Sequence, residues 1–379
     1  MSFTQTIHHQ EWKSFLEKAH ALHTSEPFPF SVFANPDVFQ RIKRTSEHFM
    51  DNANHIVFCG IGGSSLSGQA LTAPLNKSVT LSFLANIDPY AYESWDWSKT
   101  HFVFTSKSGG TVETLAQLSW ITDQLTQRSL PLSKHCLILT QPHTSPLRTF
   151  AQDNAVPIID LDPHVPGRFS AFTPTGLVPI MCAGGNALEA LDAAYAVYAS
   201  YTEKNTSHAI TDSVAWILWN RSHKRCTSVL MPYAQKHAPC ALWWRQLWAE
   251  SLGKNGLDFL PVDAYGTVDQ HSQLQLYLDG ASSRFFTLIF PPQSSPTPET
   301  QPLATLLHQS CEATCKALID RQRPVRTWEP KDQNPLAFTA SFMMHCFLET
   351  ILLARSYHID PFNQPAVELI KKHLRSLTQ

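Results

Sequence analysis

The amino-acid sequence predicts an α/β protein made of two units, each with a parallel β-sheet flanked by helices. Short apolar runs of strand length alternate with helical segments from residue 55 onward. The same alternation starts again after residue 207, so the predicted boundary lies between about Gly185 and Ser207. This order of elements is typical of parallel sheets whose strands are joined by helices.

In the first series, apolar runs of four to six residues predict strands. They are His55–Gly60, Val79–Leu84, His101–Thr105, Cys136–Thr140 and Val156–Ile159. Between the third and fourth runs, residues 111–125 place Leu115, Leu118 and Ile121 at helical spacing. This spacing predicts a helix with one buried face.

The second series predicts further helices and strands and a helical C-terminus. The helices are Ile210–Asn220 and Ala241–Leu252, and the strands are Thr227–Met231, a run near Phe259, and Phe285–Phe290. Five prolines in residues 291–302 favour a surface loop. We therefore expect an N-terminal helical segment at residues 1–50, one domain at residues 51–200, a second at residues 201–335, and C-terminal helices at residues 336–379.

The composition narrows the class of protein. The 379 residues carry 29 Lys and Arg against 31 Asp and Glu, a formal charge of −2. This balance argues against a nucleic-acid or membrane-surface partner. No apolar run reaches the roughly 18 residues of a membrane helix, and residues 1–12 lack the apolar stretch of a signal peptide. We expect a cytoplasmic protein whose eight cysteines are reduced and bind no metal.

Two loops have the composition of anion-binding turns. Residues 60–65, Gly-Ile-Gly-Gly-Ser-Ser, follow a predicted strand and open a helix, where glycines allow backbone N–H groups to approach an anion. A tight structural turn is an equally good interpretation of this loop alone. Residues 105–111 occupy the equivalent place after another strand and add hydroxyls and an ammonium, from Ser106, Lys107, Ser108 and Thr111. These groups suit phosphate, and the alternative is an ordinary capped helix start.

A carboxylate and an imidazole follow in the second unit. Gln246 and Glu250 are four residues apart in a predicted helix and therefore share one face. His271 comes 21 residues after Glu250. Carboxylate and imidazole are well suited to proton transfer at neutral pH. Taken singly, each is as readily a surface or structural residue.

Six motifs in order give the chain a resemblance to the glucose-6-phosphate isomerase family of sugar-isomerase (SIS) proteins over nearly its whole length. They are Gly60–Ser64; Ser106–Thr111; Gly167–Ser170 with Gly176–Pro179; Gln246–Lys254; Asp269–Gln275; and Pro361–Gln364 with Val367–Lys371. The resemblance implies two parallel-sheet SIS domains of three αβα layers with a C-terminal helical extension. It also implies interconversion of glucose 6-phosphate and fructose 6-phosphate, in glycolysis and gluconeogenesis, without metal or organic cofactor.

The resemblance further implies a role for each matching residue. Glu250 would be the base that moves a proton between C1 and C2 through a cis-enediol, and Arg168 would stabilise the developing charge. His271 and Lys371 would assist ring opening, and Gln246 would position the substrate. The phosphate would be held by Ser106, Lys107, Ser108 and Thr111, and the sugar hydroxyls would lie beside Gly63 and Ser64. A homodimer is implied, with each site completed by the neighbouring subunit's histidine.

The chain departs from the family pattern at three places. The helical N-terminal segment is reduced to about residues 3–50, which leaves the extent of the dimer contacts open. Gly110 stands where a threonine is common. Lys371 and Lys372 are adjacent and point about 100° apart on a helix, so only one can face the site, and spacing from Val367 favours Lys371.

Two other functions remain compatible with these residues. The enzyme could also accept mannose 6-phosphate, because the same carboxylate can serve either C2 epimer. A sugar-phosphate-binding regulator would need only the two loops. Such a regulator would have no use for Glu250, His271 and Lys371 together.

Overall fold

The computed structural model describes residues 3–22, 36–92, 95–202, 209–293, 297–331 and 334–377, without the side chains of residues 371, 372 and 375. Within these ranges the chain forms two five-stranded sheets. The strands are β1 (Phe3–Ile7), β2 (His55–Cys59), β3 (Thr80–Leu84), β4 (Thr100–Thr105), β5 (Cys136–Thr140), β6 (Ile158–Asp160), β7 (Thr227–Pro232), β8 (Leu260–Asp263), β9 (Arg284–Ile289) and β10 (Val325–Pro330).

Helices connect and cover the strands. They are α1 (Leu16–Ala21), α2 (Pro36–Met50), α3 (Gly63–Thr72), α4 (Val112–Gln127), α5 (Leu132–His135), α6 (Pro146–Asp153), α7 (Pro174–Cys182), α8 (Ala187–Thr202), α9 (Ala209–Ser222), α10 (Ala238–Leu252), α11 (Leu274–Asp279), α12 (Gln301–Asp320), α13 (Pro335–Ser356) and α14 (Glu368–Leu377). Short 3-10 turns at Gly167–Phe172 and Val268–Gln270 lie outside these helices.

The first sheet has the strand order β3-β2-β4-β5-β6 with every neighbouring pair parallel. Side chains of successive strand residues point to opposite faces. In β2, Ile56 and Phe58 therefore join one apolar cluster, and Val57 and Cys59 join another. Both faces of the sheet are buried, which makes a three-layer arrangement.

The second sheet has the order β1-β10-β9-β7-β8 and is parallel except at its β1 edge. Phe285 and Ile289 of β9 join the same core as Ile56 and Phe58 of the first sheet. Phe286 of β9 joins a separate cluster on the outer face. One continuous core thus lies between the two sheets, and the predicted fold class, two parallel-sheet α/β units, is confirmed.

Helix α13 is long and apolar enough to cross a membrane by length and composition, with a mean hydropathy of 1.6. However, 94% of its most apolar window is buried inside the protein. It packs against α8, α9 and α10. Its hydrophobicity is therefore that of a central core helix.

The structure differs at the start from the helical segment predicted for residues 1–50. Residues Phe3–Ile7 form β1, which pairs antiparallel with β10. The Phe3 ring stacks on Trp328 of β10 at 4.5 Å between centroids. The pairing joins residues more than 300 positions apart, so local sequence carries little information about it.

A buried ion pair connects β10 to helix α13. Arg326 Nη1 donates to Glu349 Oε2 at 2.7 Å, and the two side chains are 3% and 0% exposed. Burial opposes ionisation of Glu349, but the Arg326 guanidinium and the contact with His345 outweigh it and lower the pKa of Glu349 to about 2. The charge of Arg326 is thus compensated inside the core.

We expect Glu349→Gln to lower the free energy of unfolding by about 3 kcal/mol at pH 7, because it leaves the Arg326 guanidinium buried without a counter-charge. The folded pKa of Glu349 lies below the unfolded value of about 4.3. The stabilisation is therefore complete above about pH 5 and is lost as the pH falls toward 2. Urea unfolding should show a smaller difference between variant and wild type at pH 3 than at pH 7.

Glu47→Gln is the matched control, since Glu47 forms an exposed pair with Lys43 at 3.8 Å. We expect this variant to change the free energy of unfolding by less than about 0.5 kcal/mol. A Glu349→Gln effect as small as that of Glu47→Gln would contradict the role given to the buried pair.

Candidate active site

The two anion-type loops lie together at the carboxyl edge of the first sheet. Residues 60–63 follow β2 and residues 106–111 follow β4, and these strands are parallel neighbours. Ligands bind at this edge in open α/β sheets. The parallel pairing therefore brings together two loops that are more than 40 residues apart in the chain.

The loop after β4 leaves a helix start open to an anion. Thr111 precedes α4 but makes no side-chain hydrogen bond to its first turn. Its hydroxyl instead lies 2.8 Å from Ser106 Oγ. Ser108 Oγ accepts a 3.3 Å hydrogen bond from the Gly110 amide. This arrangement favours the anion-binding interpretation over that of a helix start capped by Thr111.

Lys107 adds a half-buried cation to the same loop. The pKa of the Lys107 ammonium is lowered, chiefly by burial. Asp162 raises this pKa and Arg168 lowers it, and both effects are smaller than that of burial. Among the described residues, Lys107 has no ion pair within 4.0 Å. A partly desolvated ammonium without a bound carboxylate is well placed to receive a phosphate.

A cavity joins this loop to the glycine-rich loop and to the segment that carries Arg168. Its lining includes Ser64, Lys107, Asp162, Gly167, Ser170 and Thr175. Gly63 makes the close approach possible, because a Cβ there would lie 2.2 Å from the carbonyl carbon of Gly167. The absence of a side chain at Gly63 therefore allows the glycine-rich loop to lie against the segment that carries Arg168.

The Arg168 guanidinium, 2% exposed, uses each of its nitrogens as a donor. Its partners are Ser251 Oγ (2.8 Å from Nε), Glu250 Oε2 (3.2 Å) and Gln364 Oε1 (2.7 Å) on Nη1, and the carbonyl oxygens of Pro361 (2.5 Å) and Asn363 (2.8 Å) on Nη2. Five contacts match the five N–H donors of arginine. Arg168 thus ties helix α10 to the segment that leads to α14.

Glu250 is held at both oxygens. Gln246 Nε2 donates to Oε1 at 2.8 Å, one helical turn away, and Arg168 Nη1 contacts Oε2. The carboxylate is 26% exposed, so it is open to solvent on one side. A positioned carboxylate beside a buried guanidinium can accept a proton while the cation stabilises an adjacent oxyanion.

The structure does not bring every predicted residue to the cluster formed by Gln246, Glu250 and Arg168. His271 is exposed at the end of the Val268–Gln270 turn and, among the described residues, makes no hydrogen bond with Glu250, Arg168 or Gln246. Lys371 lies in α14, but its side chain and that of Lys372 fall outside the described part of the structure.

Three residues without a role assigned from the sequence take part in the cluster. Ser251 and Gln364 bind Arg168, and Lys254 Nζ donates to the Asp360 carbonyl at 2.5 Å. Each stands inside a motif quoted above, but only the folded chain joins residue 251 to residue 168. Of the described residues, no group of three His, Cys, Asp or Glu side chains could hold a metal ion.

Comparisons with known proteins agree with this geometry. A family model described as phosphoglucose isomerase matches residues 40–280. A glucose-6-phosphate isomerase of Rubrobacter xylanophilus is 28% identical and aligns over 90% of this chain and 89% of its own. A probable glucose-6-phosphate isomerase of Natronomonas pharaonis is 32% identical over 85% of this chain and 78% of its own.

The fold is shared as well. The crystal structure of a hypothetical protein from Thermus thermophilus superposes with a TM-score of 0.83 at 26% identity, covering 97% of this chain and 95% of that one. The family model matches well over half of the chain, and the sequence relatives cover most of its length. This protein therefore belongs to the phosphoglucose isomerase family.

Proposed function

We propose that the protein is a glucose-6-phosphate isomerase, an aldose–ketose isomerase that interconverts glucose 6-phosphate and fructose 6-phosphate. The observation that carries the proposal is the contact of Glu250 with both Gln246 and Arg168, in a chain of this family. A sugar-phosphate-binding regulator has no need of such a carboxylate. The curated relatives described above bear the name of this enzyme.

Each group in the cluster has a chemical task. The phosphate binds in the loop of Ser106, Lys107, Ser108 and Thr111, with the sugar beside Gly63 and Ser64. Glu250 takes the carbon-bound proton and returns it to the neighbouring carbon, through a cis-enediol. The positive charge of Arg168 stabilises the oxygen that becomes negative in this step. Gln246 fixes the carboxylate and the substrate.

Ring opening precedes that step, and we assign it to His271 and Lys371. His271 is exposed and, among the described residues, makes no hydrogen bond to Glu250, Arg168 or Gln246, which supports a homodimer in which His271 of one subunit serves the site of the other. We place the enzyme in the cytoplasm, in glycolysis and gluconeogenesis. No metal or organic cofactor takes part.

A coupled assay of the purified protein on fructose 6-phosphate, with its mass measured by light scattering, tests the activity and the dimer. Mixing two inactive variants tests whether Glu250 of one subunit and His271 of the other form one site. Glu250→Gln and His271→Ala homodimers should each be inactive, but re-associated mixtures should recover about one quarter of wild-type activity, since half of the dimers hold one intact site. Binding of fructose 6-phosphate without conversion by the wild type would refute the proposed activity.

Lys107→Gln should raise KM roughly 10- to 100-fold, because it removes a charge-assisted hydrogen bond to the phosphate. The change in kcat should be smaller, since the phosphate is bound equally in the ground and transition states. Lys134→Gln, at an exposed position in α5, is the control and should leave KM unchanged. Equal KM values for the two variants would remove Lys107 from the phosphate site.

A further inference from the structure

The turn that carries His271 is closed around one carboxylate. Asp269 Oδ2 accepts a hydrogen bond from the Tyr265 amide at 2.6 Å. Asp269 Oδ1 accepts from Ser272 Oγ at 2.6 Å and from Gln273 Nε2 at 3.1 Å. Three donors from both sides of His271 thus converge on Asp269.

The hydrogen bonds favour the ionised form of this carboxylate. Partial burial opposes the charge of Asp269, but the hydrogen bonds from Ser272, Gln273 and Tyr265 outweigh it, and the pKa is lowered. Charge-assisted hydrogen bonds of this kind are about twice as strong as those between neutral groups. The turn is therefore held more firmly than a loop closed by backbone contacts alone.

The next residue anchors the turn to the body of the second domain. Gln270 Nε2 donates to Thr314 Oγ1 at 2.6 Å and to the Ser310 carbonyl at 3.2 Å, both on α12. Thr314 Oγ1 also accepts from the buried Tyr233 hydroxyl at 2.7 Å. Gly266 packs so closely on the Tyr233 ring that a Cβ there would lie 2.6 Å from it.

His271 makes no comparable contacts of its own. Its amide donates to the Val268 carbonyl at 3.0 Å, and its side chain is exposed. Among the described residues, no hydrogen bond to the imidazole is formed. The turn therefore fixes the backbone position from which the ring projects.

We propose that Asp269 is a positioning residue that fixes the turn so that His271 projects from the subunit in a defined orientation. The inference rests on the proposed function, in which His271 opens the sugar ring. An exposed histidine on an unrestrained loop would sample many orientations. A displacement of about 1 Å can reduce the rate 100-fold.

The test separates ring opening from isomerisation. Ring opening is measured as interconversion of the two anomers of glucose 6-phosphate by NMR exchange spectroscopy, and isomerisation as kcat/KM. Asp269→Asn keeps the size of the side chain but cannot accept all three hydrogen bonds. We expect it to slow anomer interconversion roughly tenfold or more.

Asp279→Asn is the matched control. Asp279 is exposed on the adjacent helix α11 and accepts one 3.3 Å hydrogen bond from Gln275. The Asp279→Asn variant should keep the wild-type rate of anomer interconversion. Ser272→Ala, which removes one of the three donors at an exposed position, should cause a smaller loss in the same direction and remains informative if Asp269→Asn folds poorly.

A double variant distinguishes positioning from general stabilisation. If Asp269 acts through His271, adding Asp269→Asn to His271→Ala should cause no further loss of anomer interconversion. A wild-type rate in Asp269→Asn, or an equal loss in both backgrounds, would overturn the positioning role alone. A wild-type rate in His271→Ala would overturn the ring-opening role of His271, and this inference with it.

Discussion

Replacing Glu250 by glutamine should lower kcat by roughly 10²- to 10⁴-fold, the range that a positioned general base contributes. The amide has nearly the same shape and can still contact Gln246, but it cannot accept the carbon-bound proton. Binding of fructose 6-phosphate should be close to that of the wild type, because Ser106, Lys107 and Thr111 are unchanged. Steady-state kinetics and calorimetric titration measure the two quantities on the same preparation.

Glu312→Gln is the control for this substitution. Glu312 pairs with Lys316 at 2.8 Å on the exposed side of α12. The same chemical change there should leave kcat and binding unaltered. Near-normal turnover in Glu250→Gln would disprove the assignment of the base, whereas lost binding would show that the carboxylate chiefly holds the substrate.

Arg168→Lys should reduce kcat by roughly 10²- to 10³-fold, comparable to the loss of one oxyanion donor. It should also lower the free energy of unfolding by about 2 to 3 kcal/mol, because lysine leaves buried acceptors unpaired. A lysine ammonium has three donors and no planar fork. It cannot reach helix α10 and the carbonyls of Pro361 and Asn363 together.

Hydrogen exchange locates the second effect. In Arg168→Lys, the amides of Asp360, Phe362, Asn363 and Gln364 should exchange faster than in the wild type, because the segment loses its attachment to α10. Arg284→Lys is the control, since Arg284 makes one 3.0 Å contact with the Ala281 carbonyl. Unchanged exchange at residues 360–364 would show that Arg168 does not hold this segment.

The sequence predicts the parts of the fold in which local pattern and final environment agree. Strands β2, β4 and β5 are continuous apolar runs and are buried on both faces. The sequence pattern does not predict helix α12 or strand β10. In β10 the charged Arg326 interrupts the pattern, and its compensation by Glu349 is visible only in the folded chain.

The candidate site shows the same division. Gln246 and Glu250 are one helical turn apart, so their contact follows from spacing alone. The pairing of Arg168 with Ser251 and Gln364 joins residues about 80 and 200 positions apart. The roles of the catalytic residues and the division at residues 50, 200 and 335 stay predictions.

In the proposed mechanism, Glu250 moves a proton between C1 and C2 of a hexose 6-phosphate. The direct measurement is conversion of fructose 6-phosphate by the wild type in D₂O, followed by NMR of the product. This role of Glu250 predicts glucose 6-phosphate with deuterium at C2, because a carboxylate open to solvent exchanges its proton, and no such product from Glu250→Gln. Labelled product at the wild-type rate from Glu250→Gln, or none from the wild type, would contradict it.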